Sequence, residues 1–108
     1  MPLQVSLNIR TVEFHTYVPG EGLSVRGHRD QGSLLTISIL LTDADAVGGG
    51  TFTTFKGGRR ATHDASRRDA LLFHSDKMHN VLPVTHGVRH ALVLELWQGK
   101  PNEVDRFR

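Results

Sequence analysis

The chain has 108 residues, seven histidines, no cysteine and a formal net charge of +2. This length allows one domain with a modest core. The weak charge and the two short arginine pairs, Arg59-Arg60 and Arg67-Arg68, do not support a nucleic-acid partner. Without cysteine there is no disulfide and no thiolate zinc site, which favours the cytoplasm. The sequence also shows no signal peptide and no apolar run near the ~20 residues of a membrane span.

Alternating apolar and polar residues predict strands along most of the chain, because successive strand residues point to opposite faces. The first covers residues 3–10 and continues through residues 11–18. Further strands are predicted at residues 23–27, 33–41, 51–55, 61–65, 70–73, 80–84 and 90–97. Residues 43–50 and 57–68 are interpreted as loops, with a turn at residues 85–87. Leu92, Leu94 and Leu96 share one face and are interpreted as core or inter-sheet surface.

No segment keeps a helical period over ten residues. About eight strands at short intervals predict an all-β domain. We expect a jelly roll, in which two antiparallel sheets face each other and a site lies between them. The domain is expected to cover residues 1–100, and residues 101–108 to form a polar tail.

A metal site is predicted from His28-x-Asp30, because residues two apart on a strand project to the same face and can reach one ion. His79 is the preferred third ligand, and His74 is the alternative. Two imidazoles and one carboxylate form the facial triad of non-haem Fe(II) oxygenases, which leaves coordination positions open for a 2-oxo acid and O2. The other histidines are expected to bind no metal: His15, His63, His86 and His90.

Arg89 follows His79 by ten residues. A strand and a turn at Gly87 can bring it back alongside the metal, where its planar guanidinium suits a carboxylate. The structural alternative for Arg89 is a salt bridge with Asp69 or Glu95.

Six stretches resemble, in the same order, the motifs of the 2-oxoglutarate and Fe(II) oxygenase superfamily, in its prolyl and lysyl hydroxylase-like branch. They are residues 17–20, 28–30, 35–36, 48–52, 69–73 and 79–89. The resemblance implies a double-stranded β-helix with iron on His28, Asp30 and His79. It also implies that Arg89 binds the distal carboxylate of 2-oxoglutarate with help from the Tyr17 hydroxyl, although Tyr17 can equally be a packing residue. Ala91 departs from the family pattern, which often has a polar residue there.

The implied reaction couples oxidative decarboxylation of 2-oxoglutarate by O2 to hydroxylation of a substrate. That substrate would be a peptidyl prolyl or lysyl side chain or a small molecule, and ascorbate is a further cofactor candidate. Family members usually carry helices and strands ahead of the first motif, so the sequence is expected to be a minimal domain or part of a longer enzyme. Two rival functions remain: a non-catalytic jelly-roll binding module and a cupin-like metalloenzyme that uses no 2-oxo acid.

Overall fold

The computed structural model describes residues 6–23, 30 and 32–102. These residues form nine strands: β1 Asn8–Tyr17, β2 Leu35–Leu40, β3 Gly48–Gly49, β4 Phe52–Lys56, β5 Arg59–His63, β6 Ala70–His74, β7 His79–Val81, β8 Val84–His86 and β9 Arg89–Trp97. In this part of the chain, helix is limited to one 3-10 turn at Ala44–Ala46, and no helix is long and apolar enough to cross a membrane. The predicted all-β class is confirmed.

Two antiparallel sheets face each other. The larger has the order β1-β9-β2-β6 and the smaller has the order β5-β4-β7, while β3 and β8 form a separate two-stranded ribbon. Leu23 adds an isolated bridge to Val81 of β7. The ring of Phe52 on β4 lies 5.2 Å from that of Phe73 on β6, so the two sheets pack against each other. This is the predicted jelly roll.

Several strand boundaries differ from the prediction. Residues 3–5 and 24–27 of two predicted strands lie outside the described residues. The predicted strand at 80–84 is two strands, β7 and β8, because Pro83 between them has no N–H to donate to a ladder. β5 begins at Arg59 rather than 61, since Gly57 and Gly58, both with positive φ, complete a tight hairpin turn. Asn102, in the predicted tail, donates hydrogen bonds to β1.

The larger sheet is polar on its inner face and apolar on its outer face. Its buried inner residues include Thr11, Glu13, Thr36, Ser38, Arg89 and Glu95. The outer face carries Val12, Phe14, Ile37, Ile39, Leu72, Leu92, Leu94 and Leu96, because these alternate with the inner residues in the strand register. Placing the Leu92, Leu94 and Leu96 row in the core or between the sheets was therefore wrong. Leu72 is 64% exposed on this face.

The apolar core is small and centres on Phe52. This side chain is 6% exposed and contacts the rings of Phe73 and His79 between the sheets. We expect Phe52→Ala to lower the free energy of unfolding by about 3–5 kcal/mol, because it removes buried apolar contacts and leaves a cavity. Urea denaturation followed by circular dichroism measures this. Phe14→Ala is the matched control, since Phe14 is 44% exposed. An equal loss in both variants would contradict the core assignment.

Candidate active site

Asp30 and His79, two of the three predicted metal ligands, lie next to each other. Asp30 precedes β2 and His79 begins β7. The Asp30 Oδ2 atom is 3.6 Å from His79 Nε2, and the two side chains are 10% and 6% exposed. His28, the third predicted ligand, lies outside the described residues. The fold thus places a carboxylate and an imidazole side by side from positions 49 residues apart (79 − 30) in the sequence.

Asp30 is held in place by two residues to which sequence reasoning assigned no role: Thr36 bonds its carboxylate, and Ser75 bonds Thr36 and the Asp30 backbone. The Thr36 hydroxyl donates to Asp30 Oδ2 at 2.8 Å, and Thr36 Oγ1 lies 2.8 Å from Ser75 Oγ. The Asp30 backbone N–H donates to the Ser75 carbonyl oxygen at 2.8 Å. Both Thr36 and Ser75 are fully buried. The available signal was a threonine between apolar residues of β2, since a buried hydroxyl normally has a hydrogen-bonding partner.

His79 is oriented by its backbone neighbour and by two aromatic rings. Its Nδ1 lies 2.9 Å from the Lys77 carbonyl oxygen. A carbonyl only accepts, so Nδ1 carries a hydrogen, and Nε2, the nitrogen on the Asp30 side, is the acceptor of the neutral imidazole. The ring stacks on Phe52 at 5.6 Å between centroids and contacts Phe73 at 4.8 Å. The tautomer and the ring plane are thus both suited to metal binding.

Asp30 and His79 fit a divalent transition metal. Ligand atoms at right angles around an ion with bonds of about 2.1 Å lie about 3 Å apart, so the observed 3.6 Å needs only a small approach. One nitrogen and one oxygen donor suit Fe(II). Among residues 6–23, 30 and 32–102, no three His, Asp or Glu side chains form a group that could hold a metal. His28 stays the predicted third ligand.

The alternative third ligand, His74, is placed away from this site. It ends β6 and is exposed, and the strand alternation that points Phe73 towards His79 turns His74 to the outer face. The position of His74 therefore favours His79 as the ligand.

Arg89 lies in the same cavity as Asp30 and His79. The cavity has a volume of about 210 Å³, and its lining includes Asp30, His79, Arg89 and Tyr17. Arg89 is 6% exposed, and its guanidinium carbon is 5.8 Å from the centre of the Tyr17 ring. Burial lowers the pKa of Arg89, and the neighbouring Tyr17 partly opposes this shift. An arginine nevertheless stays charged at any ordinary pH.

Two glycines with positive φ lie close to Arg89, one in space and one in the sequence. Gly87 has a φ of +76° and Gly50 a φ of +66°, values that favour glycine. A Cβ at Gly50 would come within 2.9 Å of Arg89 Cδ, so the missing side chain gives the arginine room. The interpretation of residues 48–50 as a corner that needs backbone freedom agrees with this geometry.

Neither carboxylate named as a structural partner pairs with Arg89. Glu95 lies 3.6 Å from Arg10 Nη1, and Asp69 accepts from the Ser66 N–H. Among the residues that the structure describes, Arg89 has no carboxylate partner. A buried cation of this kind is suited to a bound anion.

No protein-family model and no curated protein matches the sequence. The likeness to known proteins lies in the fold, and solved structures identify it. The fold is a double-stranded β-helix. An oxidoreductase of the 2OG-Fe(II) oxygenase family from Burkholderia pseudomallei matches with a TM-score of 0.78 and 18% identity, over 88% of this chain and 45% of that one. A Pseudomonas putida prolyl-4-hydroxylase matches with a TM-score of 0.68 and 21% identity, over 82% and 52%.

A cupin domain from Bordetella pertussis has the same general fold. It matches with a TM-score of 0.56 and 13% identity, over 88% of this chain and 98% of that one. The chain spans about half the length of the two oxygenase structures. At these identities the likeness establishes the double-stranded β-helix, and the function has to be argued from the site.

Proposed function

We propose that this chain carries the catalytic site of an Fe(II)- and 2-oxoglutarate-dependent oxygenase. One observation carries the proposal: a single cavity holds an adjacent carboxylate and imidazole together with a buried arginine that has no described carboxylate partner. A 2-oxo dicarboxylate needs both parts. Its 2-oxo acid end suits a metal, and its far carboxylate needs a cation in a site that excludes water.

The residues have separate tasks in this proposal. His28, Asp30 and His79 would hold the iron, which when bound would supply the O2 chemistry that decarboxylates 2-oxoglutarate and hydroxylates the substrate. Arg89 would bind the distal carboxylate through two parallel N–H donors, and Tyr17 beside it would add its hydroxyl. Thr36 and the Lys77 carbonyl fix the directions of the Asp30 and His79 side chains.

Arg89 also separates this function from the two rivals. A cupin-like metalloenzyme that uses no 2-oxo acid has no need for a buried cation in its metal cavity. A non-catalytic binding module has no need for a carboxylate and an imidazole beside each other in the cavity that holds the buried arginine. The structure of the site therefore favours the oxygenase over both rivals.

The proposed substrate is a peptidyl prolyl or lysyl side chain or a small molecule. The segment between β4 and β6 carries four exposed arginines: Arg59, Arg60, Arg67 and Arg68. Loops commonly set specificity on such scaffolds, and these cations favour an acidic or peptide substrate.

The test is release of succinate from 2-oxoglutarate by the protein supplied with Fe(II), O2 and ascorbate. We expect succinate and carbon dioxide in equal amounts, and no succinate when Fe(II) is replaced by Zn(II), which has no redox chemistry. Metal binding without binding or turnover of 2-oxoglutarate would contradict the proposal and favour the cupin-like reading.

A further inference from the structure

A single turn joins β6 to β7 and contacts both candidate metal ligands. At its start, the Ser75 carbonyl oxygen accepts the Asp30 N–H at 2.8 Å. Ser75 Oγ lies 2.8 Å from Oγ1 of Thr36, whose hydroxyl donates to the Asp30 carboxylate. Near the end of the turn, the Lys77 carbonyl oxygen lies 2.9 Å from His79 Nδ1. The carboxylate and the imidazole are therefore held from two nearby points of the same turn.

This turn is itself tied to both sheets by backbone hydrogen bonds. On the side of the larger sheet, the Ser75 N–H donates at 2.9 Å to the carbonyl oxygen of Leu34, the residue directly ahead of β2. On the side of the smaller sheet, the Phe55 N–H of β4 donates at 3.1 Å to the Met78 carbonyl oxygen. A further backbone hydrogen bond closes the turn on itself. The turn therefore has a fixed position relative to both sheets.

The side-chain hydrogen bonds from Ser75 to Thr36 and on to Asp30 run in one direction. The Thr36 hydroxyl donates to Asp30 Oδ2, and a hydroxyl has one hydrogen. Ser75 is therefore the donor to Thr36 Oγ1. Both hydroxyl-bearing residues are 0% exposed, and consecutive hydrogen bonds in such a place polarise and strengthen each other. Oδ2 is also the oxygen that lies 3.6 Å from His79 Nε2, so the Ser75 hydroxyl acts on the side of the carboxylate next to the imidazole.

We propose that Ser75 is a positioning residue for the metal site, which directs the Asp30 carboxylate through Thr36, while the Lys77 carbonyl of the same turn directs His79. One short turn then sets the spacing of two ligands that come from different sheets. Metal binding is favoured because the ligand directions are fixed before the ion arrives. A serine in a turn is ordinary in a sequence, so only the folded chain assigns this role. The inference rests on the proposed function.

The experiment is a double-mutant cycle on Fe(II) affinity, measured by calorimetric titration without oxygen. We expect Ser75→Ala to weaken Fe(II) binding about tenfold, at the lower end of the usual cost of losing an outer partner. In a protein that already carries Thr36→Val, the same change should cause almost no further weakening, because the hydrogen bond from Ser75 to Thr36 is already lost. Ser75→Thr keeps the hydroxyl and should retain most of the affinity. The control is Asp76→Ala, which alters an exposed residue of the same turn and should leave the Fe(II) affinity unchanged.

The outcomes separate this inference from the function on which it rests. If the unaltered protein does not bind Fe(II), the proposed function fails and the inference fails with it. Fe(II) binding that is weakened by Asp30→Ala but not by Ser75→Ala overturns the role of Ser75 alone. Equal weakening by Ser75→Ala with and without Thr36→Val also overturns it, because the hydroxyl would then not act through Thr36. So does a Ser75→Ala protein that circular dichroism shows to be unfolded, since the hydroxyl would then serve the fold. Weakening by Ser75→Ala that disappears in the Thr36→Val protein, with no effect of Asp76→Ala, supports it.

Discussion

Replacing Arg89 by alanine is expected to lower the affinity of the Fe(II)-loaded protein for 2-oxoglutarate by roughly two to four orders of magnitude. Breaking a buried ion pair by removing one partner costs about 3–5 kcal/mol, because the remaining charge is left without compensation. Arg89 is 6% exposed, so water could not replace it fully. Arg89→Lys should keep the charge and lose the two parallel donors. Its affinity for 2-oxoglutarate should therefore lie between that of the unaltered protein and that of Arg89→Ala.

The measurement is titration of 2-oxoglutarate without oxygen, followed by the metal-to-ligand charge-transfer band. Iron affinity should change little in Arg89→Ala, because the arginine is not a metal ligand. The matched control is Arg60→Ala, which removes an exposed arginine of β5. An unchanged 2-oxoglutarate affinity in Arg89→Ala would mean that another residue anchors the distal carboxylate.

The lowered pKa of Arg89 adds a stability signature to this experiment. Its folded-state pKa lies below its unfolded value because of burial, so the charged form opposes folding wherever the arginine is charged. That condition holds over the whole ordinary pH range, so this group creates no step in stability near neutral pH. A bound carboxylate offsets the free-energy cost of burying the Arg89 charge. A ligand present at 100 times its dissociation constant stabilises the folded protein by about 2.7 kcal/mol. The stabilisation by 2-oxoglutarate at a fixed concentration should be largely lost in Arg89→Ala.

Strand periodicity divides the residues of β9 between its two faces, and the structure agrees with that division. Arg89, Ala91 and Val93 alternate along the strand and line the cavity. The same alternation could not decide whether the opposite row of leucines faces a second sheet or the outside. Both environments select apolar residues, so Leu92, Leu94 and Leu96 look the same in either case. Only the pairing of β9 between β1 and β2, with the cavity on one side, decides it.

The groups that orient the candidate ligands could not be predicted from the sequence, for a different reason. Asp30 and His79 could be chosen as candidates because imidazole and carboxylate are metal-binding groups. Their supports are a hydroxyl, Thr36, and a backbone carbonyl, that of Lys77. Backbone groups occur at every residue, and hydroxyls in strands have many other uses. Neither kind of group can therefore be recognised from the sequence as the support of a metal ligand. Their roles follow from distances that only the folded chain provides.

The metal ligands themselves give the second large expected effect. Asp30→Ala should weaken Fe(II) binding more than a hundredfold, because it removes the only anionic ligand that the proposed site has. Thr36→Val keeps the ligand and removes the hydrogen bond that orients it. Loss of such an outer partner typically costs about 10–100-fold in metal affinity, so this variant should fall between Asp30→Ala and the unaltered protein.

This order of effects tests the site without any assumption about the substrate. Calorimetric titration of Fe(II) without oxygen measures the affinities, and circular dichroism checks that each variant is folded. His86→Ala is the control, because His86 is an exposed histidine on β8 and its loss should leave Fe(II) affinity unchanged. A protein that binds Fe(II) equally well with and without the Asp30 carboxylate would exclude Asp30 from the metal site. Equal weakening by Asp30→Ala and His86→Ala would instead mean that the titration reports scattered surface histidines and carboxylates, since a defined site depends on particular ligands and not on their number.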